Sequence, residues 1–294
     1  MHIAYLISAH TDAPQLKRLI DALHPQAEFF VHIDSKSDLE EFTRLIKSPR
    51  VHFIPQRVDV MWGTMLEVEY QMNLIRAAVA FPVHFDRIFF LSGMDYPLWS
   101  NERITQWLKE QEGREILQGY CMDNPALSPS QHQMYTVARP FSRHRKWAIL
   151  QRIVRRAMGL RKGLSFYVDG NLWHLYKGSA WWCITEALAS HVLNYYEHKE
   201  EIRDYFKDSF GPAETLIQTI ALNSPKFRQR CILTEGEYPG LAALTPLHFI
   251  DYNPVIKVMD ETDYPRLTES GKMFCRKVVS GKSDELVRLL ENRD

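Results

Sequence analysis

The sequence predicts an α/β fold, a single domain with a mostly parallel central sheet flanked by helices. Three observations carry that prediction. Residues 1–120 alternate apolar runs with amphipathic stretches, as doubly wound sheets do. The runs at 3–9, 29–33 and 87–92 are long enough to form strands buried on both faces. With 294 residues, 45% hydrophobic and 24% charged, the chain has ample length and an ordinary globular composition. A formal net charge of zero argues against a wholesale nucleic-acid binder.

The first strand, 3–9, stops at His10. Asp12 or Thr11 can cap the helix that follows, Pro14 suits its first turn, and Leu16, Leu19, Ile20 and Leu23 share one face. The second strand ends at Asp34, completing a right-handed βαβ unit. In open α/β sheets ligands bind beyond the carboxyl ends of the strands, which is where His10 and Asp34 fall. No G-x-G-x-x-G follows the first strand and no G-x-x-x-x-G-K-[ST] occurs, so a dinucleotide cofactor and a P-loop lose support. Residues 51–55 read as a third strand. Trp62-Gly63 then opens a helix with Val68, Met72, Ile75 and Val79 on one face. The strand at 87–92 runs into Gly93-Met94-Asp95, so another strand exit carries a carboxylate. Ser100 can cap a helix with Ile104, Trp107 and Leu108 inward, and 115–120 reads as a further strand.

The middle changes character. Residues 139–162 hold nine Lys or Arg and no Asp or Glu, with Trp147, Leu150, Val154 and Met158 able to share a helical face. This pattern fits contact with a membrane surface or a polyanion, and equally a solvated helix whose arginines pair with acidic surface elsewhere. Three stretches follow from this: a nucleotide-binding half at 1–120, a basic insertion at 121–177 and a second half at 178–294.

In that second half, Trp181 and Trp182 follow two small residues in a short aromatic strand. They suit a sugar platform, and an ordinary core pair has the same signature. In Gly211-Pro212-Ala213-Glu214, Pro212 fits a first helical turn and places Glu214 within it. A carboxylate held ionised there suits a general base, although a helix-start glutamate that only satisfies the dipole looks the same. Residues 247–252 form a strand ending at a carboxylate, and Lys272, Arg276 and Lys277 surround Phe274 as a diphosphate clamp or a solvated basic turn. A last helix, capped by Ser283, carries Leu286 and Leu290. The four cysteines, without C-x-x-C spacing, read as reduced core thiols. Met1 runs straight into the first strand and no stretch approaches eighteen apolar residues, so a cytoplasmic chain is expected, peripheral to the inner membrane if the basic segment binds it.

Taken in order, AYLISAH, FFVHIDSKS, a WG segment opening a helix, FFLSGMDYPL, GSAWW, GPAETLIQT and MFCRK resemble the core-2/I-branching family, glycosyltransferase family 14, in its bacterial form. The resemblance covers nearly the whole chain. It implies a glycosyltransferase-A type fold with a Rossmann-like sheet, and inverting transfer of a sugar from a UDP-sugar to a saccharide acceptor. The sugar implied is N-acetylglucosamine, or xylose in some branches, and a lipid-linked acceptor would suit the basic segment. No cofactor and no divalent metal are implied, in keeping with the absence of D-x-D from the chain.

Residue by residue, the resemblance implies that Asp34 holds the uridine with His10 nearby and that Glu214 is the catalytic base. Lys277 would clamp the diphosphate in place of a metal, helped by Arg276 and His248. Asp95, Trp181 and Trp182 would lie near the donor or acceptor sugar. Three departures stand out: Ala213 replaces the aspartate before the base, Met65 and Leu66 replace an aromatic and a serine after WG, and His248 stands where related chains often have arginine. They leave a second reading, a sugar- or nucleotide-binding protein of the same fold without activity.

Overall fold

The computed structural model describes residues 1–124, 149–150, 153–154, 157–158, 162–236, 238–252 and 255–292. The basic segment therefore lies mostly outside the described residues. Of its expected apolar face, Leu150, Val154 and Met158 are described and stand exposed, while Trp147 is not among them.

The first half contains β1 (Ile3–Ala9), α1 (Ala13–Ala22), β2 (Glu28–Ile33), α2 (Leu39–Leu45), β3 (Val51–Phe53), α3 (Met65–Val79), β4 (Arg87–Ser92), β5 (Asp95–Pro97), α4 (Asn101–Glu110) and β6 (Gln118–Cys121). After the insertion come β7 (Ser165–Val168), β8 (Asn171–His174), β9 (Tyr176–Gly178), β10 (Cys183–Ile184), α5 (Glu186–His198), α6 (Glu200–Phe206) and α7 (Leu216–Asn223). The chain closes with β11 (Ile232–Thr234), β12 (His248–Ile250), α8 (Tyr264–Glu269), β13 (Phe274–Arg276) and α9 (Asp284–Glu291).

The central sheet runs β10-β4-β1-β2-β3, parallel except for β10. β1 lies in the middle, so both strands beside it leave their carboxyl ends on one edge, the position that a doubly wound order reserves for ligands. Alternation divides the core in two. Ala4, Leu6, Phe30, Ile88 and Phe90 face one side with residues of α3 and α5, and Tyr5, Ile7, Phe29, Val31, Phe89 and Leu91 face the other with α1 and α4.

Two smaller sheets join distant segments. β5 pairs antiparallel with β13, which pairs parallel with β12, so Asp95 lies opposite Arg276 and His248 opposite Phe274. β6 lies between β11 and β9. Gly178 in β9 has no room for a side chain, since a Cβ there would stand 2.0 Å from the Gln118 carbonyl oxygen. The strand expected at 115–120 begins only at Gln118, because Ile116 bridges to Cys183 of the central sheet. Ser283 stands at the start of α9, but its hydroxyl donates to the Met259 carbonyl and accepts from the Val279 amide instead of capping. Asp12 and Ser100 do cap, accepting from the Gln15 and Arg103 amides. All four cysteines carry free thiols. No helix among the described residues is long and apolar enough to cross a membrane.

Candidate active site

Beyond β1 and β2 the chain builds a rigid corner. The Asp34 amide donates to the Ala9 carbonyl at 2.9 Å, which pins the end of β2 to the end of β1. The Asp34 carboxylate accepts from the Lys36 amide at 2.9 Å and pairs with the Lys36 ammonium at 3.0 Å. Arg57 donates to the carbonyls of Ile33, Asp34 and Ser37 from 3.0, 2.7 and 2.5 Å, so the turn is held by its backbone as well. His10 stands exposed beside it. Partial burial lowers the proton affinity of His10, the Asp34 charge raises it, and Lys277, Arg276 and Lys36 lower it further. Five charged or titratable groups from three parts of the chain therefore meet at one strand edge.

Beneath this corner is a buried charge cluster. Asp95 is fully buried, and its carboxylate accepts from the Ser92 amide at 2.7 Å, from His248 Nε2 at 3.1 Å and from the Arg276 guanidinium at 3.0 Å. Burial alone would raise its carboxyl; His248 and Arg276 outweigh that and hold it below the usual range. Arg276 lies over the Trp181 ring at 4.8 Å, and Trp181 stacks on Phe90 at 5.8 Å. Lys277 follows at the edge, its ammonium shifted downward by burial and by the Arg276 charge.

Three expectations are corrected here by burial. Asp95, with no exposed surface, orients Arg276 and does not line a sugar pocket. His248 is 1% exposed and its Nε2 is committed to Asp95, so it lies buried behind the Asp95–Arg276 pair. Trp182 is fully buried against Phe90 at 5.4 Å and is a core residue; Trp181 alone of the pair is partly exposed.

On a separate loop, Glu214 ends a single 3₁₀ turn, Pro212–Glu214, and α7 begins after it. The expected helical first turn is thus a separate, tighter one. Its carboxylate accepts from Lys177, which is 3% exposed and comes from β9. Gly211 takes the left-handed conformation, φ 65°, and donates its amide to the Gly63 carbonyl at 3.1 Å. Trp62, 70% exposed, meets Phe210 edge-on at 5.3 Å beside that contact. Tyr252 interacts with both groups of charges. Burial pushes its hydroxyl up to about 12, with Glu214 and Asp95 adding and Arg276 opposing, so it stands within electrostatic reach of both the carboxylate and the cation.

Lys36, Arg57, Lys177 and Tyr252 belong to this site and were not singled out by sequence. Only Lys36 carried a local signal, two residues after Asp34 in a strand-end motif. Among the described residues no group of three or more His, Cys, Asp or Glu is arranged to hold a metal ion.

Fold and site define a class: an α/β protein whose mostly parallel sheet ends in a nearly buried carboxylate, with cations from a neighbouring small sheet and a lysine-held glutamate on a separate loop. The chain belongs to the Core-2/I-Branching enzyme family, whose profile matches residues 3–239. The matched stretch contains His10, Asp34, Asp95, Trp181, Trp182 and Glu214, and it ends before His248, Arg276 and Lys277. Human xylosyltransferase 2 is 25% identical over 232 residues, covering 76% of this chain and 25% of that protein. Human N-acetyllactosaminide beta-1,6-N-acetylglucosaminyl-transferase is 26% identical over 136 residues, 44% of this chain and 34% of that protein. A human beta-1,3-galactosyl-O-glycosyl-glycoprotein beta-1,6-N-acetylglucosaminyltransferase 3 is 24% identical over 224 residues, 74% of this chain and 47% of that protein. The chain spans about a quarter of the length of the xylosyltransferase it matches.

Proposed function

We propose that this protein is an inverting, metal-independent glycosyltransferase that moves N-acetylglucosamine from UDP-N-acetylglucosamine to a hydroxyl of a glycan or lipid-linked saccharide. The observation that carries this reading is the convergence of charges: Arg276 and Lys277 act on His10 beyond the ends of β1 and β2, and Glu214 and Arg276 both act on Tyr252. Family membership and the names of the relatives support the reaction class.

In this reading Asp34 accepts from the uridine and the Lys277 and Arg276 cations lie on the diphosphate. One Glu214 oxygen is held by Lys177, and the other takes the proton of the acceptor hydroxyl. As that proton leaves, the acceptor oxygen bonds to the anomeric carbon from the face opposite UDP. The bond between that carbon and the diphosphate oxygen breaks, and the charge gathering on the diphosphate is offset by cations already in place. Asp95 fixes the direction of Arg276, so little reorganisation is needed at that moment. Trp181, partly exposed beneath Arg276, would border the donor sugar beside that guanidinium. Residues 139–162 would bring the protein to an anionic membrane face where a lipid-linked acceptor resides. A UDP-xylose donor is the second reading, favoured by the similarity to human xylosyltransferase 2 over 76% of the chain.

The test is calorimetry and thermal shift against UDP, GDP, CMP, UDP-N-acetylglucosamine and UDP-xylose, each in EDTA and in manganese. Binding of a UDP species in EDTA is expected. Strict dependence on manganese would remove the metal-independent clamp, and silence towards every UDP compound would favour a fold kept without activity.

A further inference from the structure

Glu67 lies in the first turn of α3, beneath the loop that carries Glu214. Its Oε2 accepts from the Gly63 amide at 2.5 Å, the Gly63 carbonyl accepts from the Gly211 amide at 3.1 Å, and the Gly211 carbonyl accepts from the Glu214 amide at 3.0 Å. Gly63 and Gly211 both take left-handed backbone, φ 75° and 65°, which a side chain would strain, so the relay depends on glycine at both points. The WG segment and the GPAE segment, far apart in sequence, are thereby joined through one half-buried carboxyl group.

We propose that Glu67 is a positioning residue for Glu214, acting through the Gly63–Gly211 backbone relay. This rests on the reading of Glu214 as the base. The groups around Glu67 are Glu214 on the neighbouring turn, Lys177 behind Glu214, and Tyr70 on its own helix, which also lies within reach of Arg276. Burial pushes the Glu67 carboxyl up to about 7, the Gly63 amide opposes that shift, and the Glu214 charge adds to it. Ionised, Glu67 holds the Gly63 amide by a charge-assisted bond; protonated, it holds it more weakly. The relay therefore tightens as pH rises through about 7 and loosens as it falls. Stability runs the other way. A carboxyl raised on folding contributes most below its ordinary value of 4.5, and that contribution is lost as pH rises through about 7.

The experiment follows the Gly63 and Gly211 amide resonances by nitrogen–proton correlation spectra from pH 5 to 9 in wild type, Glu67→Gln and Glu67→Ala, alongside hydrolysis of UDP-N-acetylglucosamine. Both amides should titrate near pH 7 in wild type and stay still in both variants. Glu67→Ala should lose up to about 100-fold in kcat, the scale of an ångström-level misplacement, with UDP affinity kept. Glu67→Gln, which still offers an acceptor oxygen, should keep more of the rate while losing the step near pH 7. Its melting temperature should exceed that of wild type above pH 7 and approach it near pH 4. Amides that do not move, or that titrate equally in Glu67→Gln, overturn the relay whether or not hydrolysis is seen. A wild type that hydrolyses no UDP-sugar counts instead against Glu214 as base, and the amide titration still decides the role of Glu67.

Discussion

The two parts of the candidate site are built differently. The proposed donor side is a set of strand ends, with His10 and Asp34 leaving adjacent parallel strands, and Arg276 and Lys277 leaving a third strand locked to Asp95. The opposite side is a pair of loops tied by glycine backbone, where Glu214 is held by Lys177 and lies within electrostatic reach of Glu67. Strand ends are fixed by a sheet buried on both faces, whereas loop carboxylates depend on a few long-range hydrogen bonds. If the proposed roles hold, the donor side is the stiffer platform, and the base side is the one expected to respond to pH.

The sharpest way to separate the two sides is Glu214→Gln. It should lower turnover by about 10²–10⁴, the usual worth of a positioned base, while leaving UDP affinity unchanged in calorimetry. Near-normal turnover in this variant would take Glu214 out of the role. Asp95→Asn tests whether the donor side owes its stiffness to the buried cluster. Removing one partner of a buried ion pair should cost about 3–5 kcal/mol in denaturant unfolding, with weaker UDP binding because Arg276 loses its guide. Since the Asp95 carboxyl is held below the usual range, this stability is present at neutral pH and is lost only in acid, as pH falls through its lowered value. A wild type and an Asp95→Asn protein differing equally at pH 7 and pH 2 would contradict that linkage. The smallest effect is expected for Lys277→Met. Loss of one charge-assisted contact should weaken UDP about 10- to 100-fold, measured at fixed ionic strength. If it also altered the pH dependence of turnover as Glu67 variants should, the two sides would not be independent.

Much of the donor side was legible in the sequence. Apolar runs of strand length and the residues that end them are local features, so His10 and Asp34 could be placed beyond β1 and β2 without knowing any pairing. The roles of Asp95, His248 and Trp182 were not, because a polar or aromatic residue next to a strand does not declare which way the next segment covers it. Asp95 and His248 are 153 residues apart and both are buried only because β5 and β12 flank β13. Lys177 gave no signal at all: it occupies one position of a three-residue strand, and its partner lies 37 residues on.

What the sequence determined by itself was the succession of elements and the ends of the parallel strands. Alternation, helical periodicity and caps act within a few residues, where the chain's own covalent geometry holds the spacing. Tertiary structure alone decided the register that sets Arg276 opposite Asp95, the closure of β9 onto β6 that brings Lys177 to Glu214, and the glycine contact that joins Glu67 to the same loop. These are pairings between distant segments, selected by how well whole faces pack, and no local pattern records the choice.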